Sequence, residues 1–138
     1  MGMNRKLTII AIFATSVLAP SCSEDAAGPC DLWVAFAVVS GRVTDSGSGA
    51  PIVNTEIDVM VAEGSQCDGS EQWIETRRVT TDNAGQFSLK LGLGNQNGVR
   101  CVGAQETNSG RITRDTVEFV GGCNDTRPPG QVNLDISI

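Results

Sequence analysis

From residue 31 onward, hydrophobic and polar side chains alternate at a period of two, the period of a β-strand with one buried face. The alternation is clearest over residues 86–91 and 132–138, where apolar and polar positions follow one another without a break. No convincing stretch has the 3.6-residue period of an amphipathic helix. The pattern therefore predicts an all-β domain.

Seven short strands are predicted, separated by turn-forming residues. The predicted strands are 32–44, 56–61, 73–81, 87–91, 99–106, 111–120 and 132–138. Two of the separating segments, 45–51 and 82–85, are rich in Gly, Ser, Asp and Asn, which favour tight turns. Strand 73–81 carries several charges, so we expect it near a sheet edge or with one wet face. Short strands at this spacing indicate an antiparallel β-sandwich.

The N-terminal segment has the pattern of a signal peptide. Arg5 and Lys6 precede an apolar run over residues 7–18, and small residues follow it. This run is shorter than the ~20 residues that a membrane-spanning helix needs. The sequence therefore predicts an exported chain whose residues 1–21 are removed.

The end of this segment, SVLAPSCSED, resembles the lipobox of bacterial lipoproteins. Ser21 and Cys22 match that pattern, whereas Ala19 and Pro20 depart from it. The resemblance implies cleavage before Cys22, lipid attachment to its thiol, and a short tether over residues 22–30. Ordinary secretion with cleavage at the same bond is the alternative, because Ala19 and Ser21 also satisfy the small-residue rule.

The number of cysteines supports a separate role for Cys22. The chain has five cysteines, and an odd number in an exported protein needs an explanation. If Cys22 carries lipid, Cys30, Cys67, Cys101 and Cys123 can form two disulfides. We expect the pairs Cys30–Cys67 and Cys101–Cys123, because each closes a short loop roughly symmetric about a predicted turn.

The charge and the missing residue types exclude several functions. The chain has 10 basic and 16 acidic residues, and removing residues 1–21 takes away two bases and no acid, so the mature balance is 8 − 16 = −8. Such a chain repels nucleic acids and anionic lipid surfaces. Histidine is absent, which removes His-based catalysis and His-bearing zinc sites. We therefore predict no enzyme activity, no metal site and no cofactor.

Three residues are the best candidates for ligand contact. Trp73 follows a polar loop and its indole could stack on a sugar, although packing beneath that loop is the alternative. Asp68 and Glu71 lie in the same loop and could offer oxygens to a ligand, although solvated loop charges are the simpler interpretation. Loop oxygens at Asn124 and Asp125 suggest calcium, but their spacing matches no known calcium loop.

Three segments resemble the carboxypeptidase regulatory-like domain. They are SGRVTD at 40–45, GAPIVNTEIDVM at 49–60 and TTDNAGQFSLKL at 80–91. The resemblance covers roughly residues 38–92 and implies a prealbumin-like, seven-stranded Greek-key sandwich over residues 31–138. Modules of this family are non-catalytic parts of peptidases, receptors and surface proteins.

Together, these features predict a lipoprotein of the bacterial cell envelope, anchored to the outer membrane on its periplasmic or outer side. Its expected role is that of a non-catalytic binding module for an envelope protein, a peptide or a glycan. A structural spacer without a ligand is the alternative. A hydrolase using Asp and Glu side chains is the remote one, and it would need two carboxylates in one cleft.

Overall fold

The computed structural model describes residues 34–94, 97–121 and 126–138. Over these residues the chain forms eight β-strands and no helix. The strands are β1 Val34–Thr44, β2 Glu56–Ala62, β3 Trp73–Thr80, β4 Gln86–Gly94, β5 Gly98–Glu106, β6 Ile112–Gly121, β7 Gly130–Asn133 and β8 Ile136–Ser137. The predicted all-β class is confirmed, and the first six predicted strands lie where β1 to β6 form.

The strands form a two-layer sandwich with Greek-key connections. One layer has the order β3-β2-β5-β6, and the other contains β4 and β1 with β7 and β8 beside them. The layers join where the end of β6 pairs with the start of β1, at Phe36–Val120 and Ala35–Gly121. The charged strand β3 lies at a sheet edge, as its composition predicted.

The core lies between the two layers and is mainly aliphatic. Strand β1 buries every second residue from Ala35 to Val43, which places its other side chains on the outer face. Two phenylalanines, Phe87 and Phe119, are the aromatic members of the buried cluster. The described core therefore contains few aromatic rings. Val, Ile, Leu and Ala supply most of the apolar burial that stabilises the sandwich.

The last predicted strand differs from the structure. It is divided into β7 and β8, and both pair in parallel with β1. Between them the Leu134 N–H donates to the Ser40 carbonyl at 2.7 Å, and the Arg42 N–H donates to the Asp135 carboxylate at 2.9 Å. The Asp135 carboxylate thus takes the place of a backbone acceptor, so the regular pairing with β1 stops at Leu134 and Asp135. The alternation of apolar and polar residues continues through these two positions.

Gly41 is required at this interruption. A Cβ atom there would lie 2.1 Å from the Leu134 carbonyl oxygen and 2.6 Å from Cζ of Phe87. Such distances are far below van der Waals contact, so the returning chain can approach β1 only at a glycine.

The turn before β4 forms as the sequence predicts. The Asp82 carboxylate accepts hydrogen bonds from the backbone N–H groups of Ala84 and Gln86, and Gly85 adopts a positive φ of 71°. The turn directs Phe87, which is 4% exposed, into the core. This segment therefore has a structural role in addition to any contact with a ligand.

Candidate functional site

The outer face of β4, β1 and β7 presents polar side chains in rows. Ser40 of β1 pairs with Ser88 of β4 on one side and with Asn133 of β7 on the other. Two residues along, Arg42 pairs with Gln86. Residues directly opposite one another on neighbouring strands project to the same side of the sheet. The register therefore gathers hydroxyl, amide and guanidinium groups from three strands.

These rows border a groove of about 640 Å³ at the end of the sandwich where β4 begins. Its lining residues are Ser40, Gly41, Arg42, Val79, Thr80, Asp82, Gln86, Phe87, Ser88, Asn133 and Asp135. We call this feature the polar groove. Its volume lies within the ~300–1,000 Å³ range of small-molecule sites.

Several side chains of the polar groove hold the fold as well. The Asp82 carboxylate caps the turn before β4, and that of Asp135 accepts the Arg42 N–H. By contrast, the side chains of Gln86, Ser88 and Asn133 have no hydrogen-bond partner within the described ranges. These three side chains are free to bind a ligand.

The same outer face becomes apolar toward the start of β1. Val34, Phe36 and Val38 are half-buried there, and the Lys90 ammonium lies 4.3 Å from the centroid of the Phe36 ring. A cation over an aromatic face is attracted by the ring quadrupole. This end of the face is therefore covered by one of its own side chains.

The predicted ligand residues Asp68, Glu71 and Trp73 lie in and beside the loop 63–72, and none of them lines the polar groove. The loop 63–72 carries the first two. Glu71 has a side chain that is only 1% exposed and an ion pair with Arg114 at 3.2 Å. The backbone N–H of Gly69, which donates to Glu71 Oε1, and the Arg114 guanidinium lower the pKa of this carboxyl. Glu71 therefore serves to hold the loop.

The other two candidates also have internal contacts. The Asp68 carboxylate accepts hydrogen bonds from the hydroxyl and the backbone N–H of Ser70, and these lower its pKa. The indole of Trp73 covers Gly103, where an added Cβ atom would lie 2.9 Å from it. Trp73 is half-buried, so the packing alternative raised from sequence describes much of its surface. A second groove, of about 650 Å³, lies along this loop.

The predicted disulfide pairs are wrong, because Cys67 is bonded to Cys101 with 5.4 Å between their Cα atoms. Strand β2 pairs with β5, with Val61 opposite Val102. The chain leaving β2 therefore runs beside Cys101, whose N–H donates to the Gly64 carbonyl at 2.8 Å. Strand pairing across the layer, and not symmetry about a turn, brings these two cysteines together.

Several predicted features lie outside the described residues. They are the signal peptide, the tether, Cys22, Cys30, Cys123, Asn124 and Asp125. Within residues 34–94, 97–121 and 126–138, no three Asp, Glu or Cys side chains converge as metal ligands would. No helix in that part of the chain is long and apolar enough to cross a membrane.

Sequence reasoning did not single out Gln86, Ser88 and Asn133. Each was visible as an outward polar position in an alternating strand. Exposed polar side chains are normal on a sandwich surface, so this signal alone does not identify a site. Only the register of three strands that are distant in sequence reveals that they share a groove.

No protein-family model and no curated protein matches the chain. Among solved structures, the dioxygenase domain of a dioxygenase–carbohydrate-binding fusion protein from Streptomyces sp. SirexAA-E is 17% identical, with a TM-score of 0.42 and coverage of 75% of this chain and 79% of that one. Catechol 1,2-dioxygenase from Acinetobacter sp. ADP1 is 15% identical, with a TM-score of 0.42 and coverage of 82% and 54%.

A Pseudomonas aeruginosa protein that is provisionally described as carbohydrate-binding is 17% identical, with a TM-score of 0.34 and coverage of 74% of this chain and 89% of that one. At these identities and scores the matches carry no information about the activity or the ligand of this chain. The function must be argued from its own residues.

Proposed function

We propose that this chain is a non-catalytic binding module of the bacterial cell envelope and that it binds a glycan in the polar groove. The observation that carries the proposal is the placement of Gln86, Ser88 and Asn133. Their amide and hydroxyl groups line one groove and have no hydrogen-bond partner in the described part of the chain. Amides and hydroxyls both donate and accept, which suits the hydroxyl groups of a sugar.

The width of the site also suits a glycan. The rows extend over β4, β1 and β7, and strands lie about 4.8 Å apart in the hydrogen-bonding direction, so the outermost rows are about 10 Å apart. A polar surface of this width can accept neighbouring hydroxyls of one or two sugar rings. Each direct hydrogen bond contributes about 1 kcal/mol after competition with water.

The carboxylates of the groove favour binding over hydrolysis. Asp82 and Asp135 both line it, as a glycosidase would require. However, the Asp82 carboxylate caps the turn before β4, and the Asp135 carboxylate accepts the Arg42 N–H, so both are engaged by the backbone. We therefore assign both residues to the fold and not to proton transfer.

The envelope location rests on the N-terminal sequence. Lipid on Cys22 would hold the module at the outer membrane, and the resemblance to carboxypeptidase regulatory-like domains agrees with a non-catalytic role. Two or three acyl chains on one residue give firm anchoring, whereas one chain gives marginal binding. In this proposal the membrane is a point of attachment and the glycan is the ligand.

A glycan array followed by titration calorimetry tests the ligand. The mature chain, extracted in detergent with its disulfides intact, is expected to bind a subset of envelope or exogenous polysaccharides. Asn133→Ala and Gln86→Ala should each weaken binding about five-fold, the equivalent of one hydrogen bond. Thr116→Ala, an exposed polar position on the other layer, is the matched control and should leave the affinity unchanged.

Two results would contradict the proposal. If no glycan binds, or if Thr116→Ala weakens binding as much as the groove variants do, the groove is not the site. If bound oligosaccharide is shortened with time and Asp135→Asn prevents this, the chain is a hydrolase.

A further inference from the structure

Strand β4 is an edge strand with a long regular open side. Within the described ranges its only paired neighbour is β1, and nine consecutive residue pairs join the two strands without a bulge. Long regular edges without proline or bulges are open to pairing with another chain. The sequence QFSLKLGLG contains a single charged residue, Lys90.

The register shows which backbone groups face the open side. The Val43 N–H donates to the Gly85 carbonyl at 2.8 Å, so this pair is hydrogen-bonded. In an antiparallel ladder such pairs alternate with pairs that are not hydrogen-bonded. The N–H and C=O groups of Ser88, Lys90 and Gly92 therefore point away from β1. Those of Gln86 are occupied by Asp82, so Ser88, Lys90 and Gly92 are the next outward positions along the strand.

The edge formed by β3 is protected, in contrast. Glu75 and Arg77 pair with the buried residues Val61 and Val59, so their side chains leave from the core-facing side of the edge, and a 2.7 Å ion pair joins them. The pairing of β3 with β2 also shifts register between Val61 and Ala62. Inward charges and irregular pairing are devices that prevent edge association. Strand β4 has neither.

The position of Lys90 indicates what can pair with β4. In a two-fold antiparallel pairing centred on this residue, each Lys90 would lie directly opposite the other, and like charges in that position are destabilising. A carboxylate at the opposite position would be attracted instead. On the inner side, the half-buried Leu89 leaves an apolar surface that an added side chain can cover.

We propose that the β4 edge binds an extended peptide segment of a partner protein by strand addition. The segment pairs with Ser88, Lys90 and Gly92, places an acidic side chain opposite Lys90 and covers Leu89 with an apolar one. Main-chain hydrogen bonds supply the affinity and the alternating side chains supply the preference. This site meets the polar groove at Ser88, whereas Lys90 and Gly92 do not line the groove.

The test uses the full mature chain and a capped heptapeptide with valine at alternate positions, glutamate at the centre and threonine at the two remaining positions. Binding is followed by fluorescence anisotropy of the labelled peptide and by amide hydrogen exchange. We expect saturable binding and slower exchange at Ser88, Lys90 and Gly92. Two control peptides keep the side chains of the parent, and each is N-methylated at one of the two alternate sets of amides. The peptide whose methylated amides would face β4 loses its hydrogen-bond donors to the edge and should bind at least ten-fold more weakly.

Two variants of Lys90 separate the contribution of its charge from that of its backbone N–H. Lys90→Gln removes the charge, so peptide affinity should fall a few-fold and lose most of its salt dependence. Lys90→Pro also removes the edge N–H, so the loss should exceed ten-fold. Proline is tolerated at an edge position whose N–H faces outward, and retained glycan binding in the polar groove with an unchanged melting temperature would show that the variant folds.

Equal binding of the parent and both N-methylated peptides, or full binding by Lys90→Pro, would overturn the proposal. Concentration-dependent dimers with slowed exchange at the same three amides would also overturn it, because the occupant would then be a second copy of the chain. A chain that binds peptide but no glycan would refute the proposed function and leave this inference in place.

Discussion

Replacing Gly41 by alanine tests the closest approach in the sandwich. The new Cβ atom would lie 2.1 Å from the Leu134 carbonyl oxygen, so reaching the 3.4 Å of ordinary contact requires a displacement of 1.3 Å. That carbonyl belongs to a backbone segment held by the hydrogen bond from the Leu134 N–H to Ser40, and the Phe87 ring blocks the other direction. The cost should reach the upper end of the overpacking range, about 3 kcal/mol.

For a domain of roughly 100 residues this cost corresponds to a fall in melting temperature of about 12 to 24 °C. Differential scanning calorimetry or circular dichroism at pH 7 on the oxidised protein measures it. Gly64→Ala is the matched control, because a Cβ atom there has no neighbour within 4 Å and the residue does not have a positive φ. This control should change stability by less than about 1 kcal/mol.

The reasoning would be refuted if Gly41→Ala melted within a few degrees of the control. Leu134 and Ser40 would then not lie as close as the structure places them, and the interruption between β7 and β8 would need another explanation.

Three further predictions concern the disulfides, the acid range and the anchor. A non-reducing peptide map should link Cys67 to Cys101 and hence Cys30 to Cys123, and a map with other links would contradict this pairing. Replacing Cys67 and Cys101 by alanine should lower the free energy of unfolding, measured with urea, by about 4 kcal/mol, as the loop-entropy relation gives for a separation of 34 residues. Hydrogen bonds from the backbone and hydroxyl of Ser48 and from the Gly47 N–H lower the pKa of Asp45 below its usual 3.8. The stability that this carboxylate contributes is therefore present above pH 3.8 and is lost as the pH falls through the lower folded-state pKa. Thermal unfolding should show Asp45→Asn to be less stable than the native chain at pH 6, with the difference shrinking below pH 4, and a difference that stays constant with pH would argue against this role. Intact mass of the membrane-extracted chain should begin at Cys22 with added acyl mass, whereas an unmodified thiol there would refute the anchor.

The strands could be predicted from sequence because alternation is a local property. Residues 86–91 repeat with a period of two whatever their neighbours are, and the Asp82 turn is specified within five residues. The final strand was predicted as one piece because its alternation is unbroken. Its interruption depends on Gly41, which lies far away in the chain and accepts the close approach of Leu134.

The disulfides and the groove depended on non-local pairing, which the alternation does not contain. The wrong cysteine pairs assumed that β1 and β2 form a hairpin, whereas the connection between them crosses to the other layer and β2 pairs with β5. In the same way, Ser88 and Asn133 are neighbours only through their shared partner Ser40. The residues that sequence reasoning chose for their chemistry, Asp68, Glu71 and Trp73, do not line the polar groove.

The direction of β1 decides how the domain would stand above a surface. The tether would enter at Val34, whereas Arg42 in the polar groove lies eight residues further along the same strand. At about 3.3 Å per residue the two points are about 26 Å apart. If Cys22 is the point of attachment, the groove would lie at the end of β1 that is farther along the chain from it.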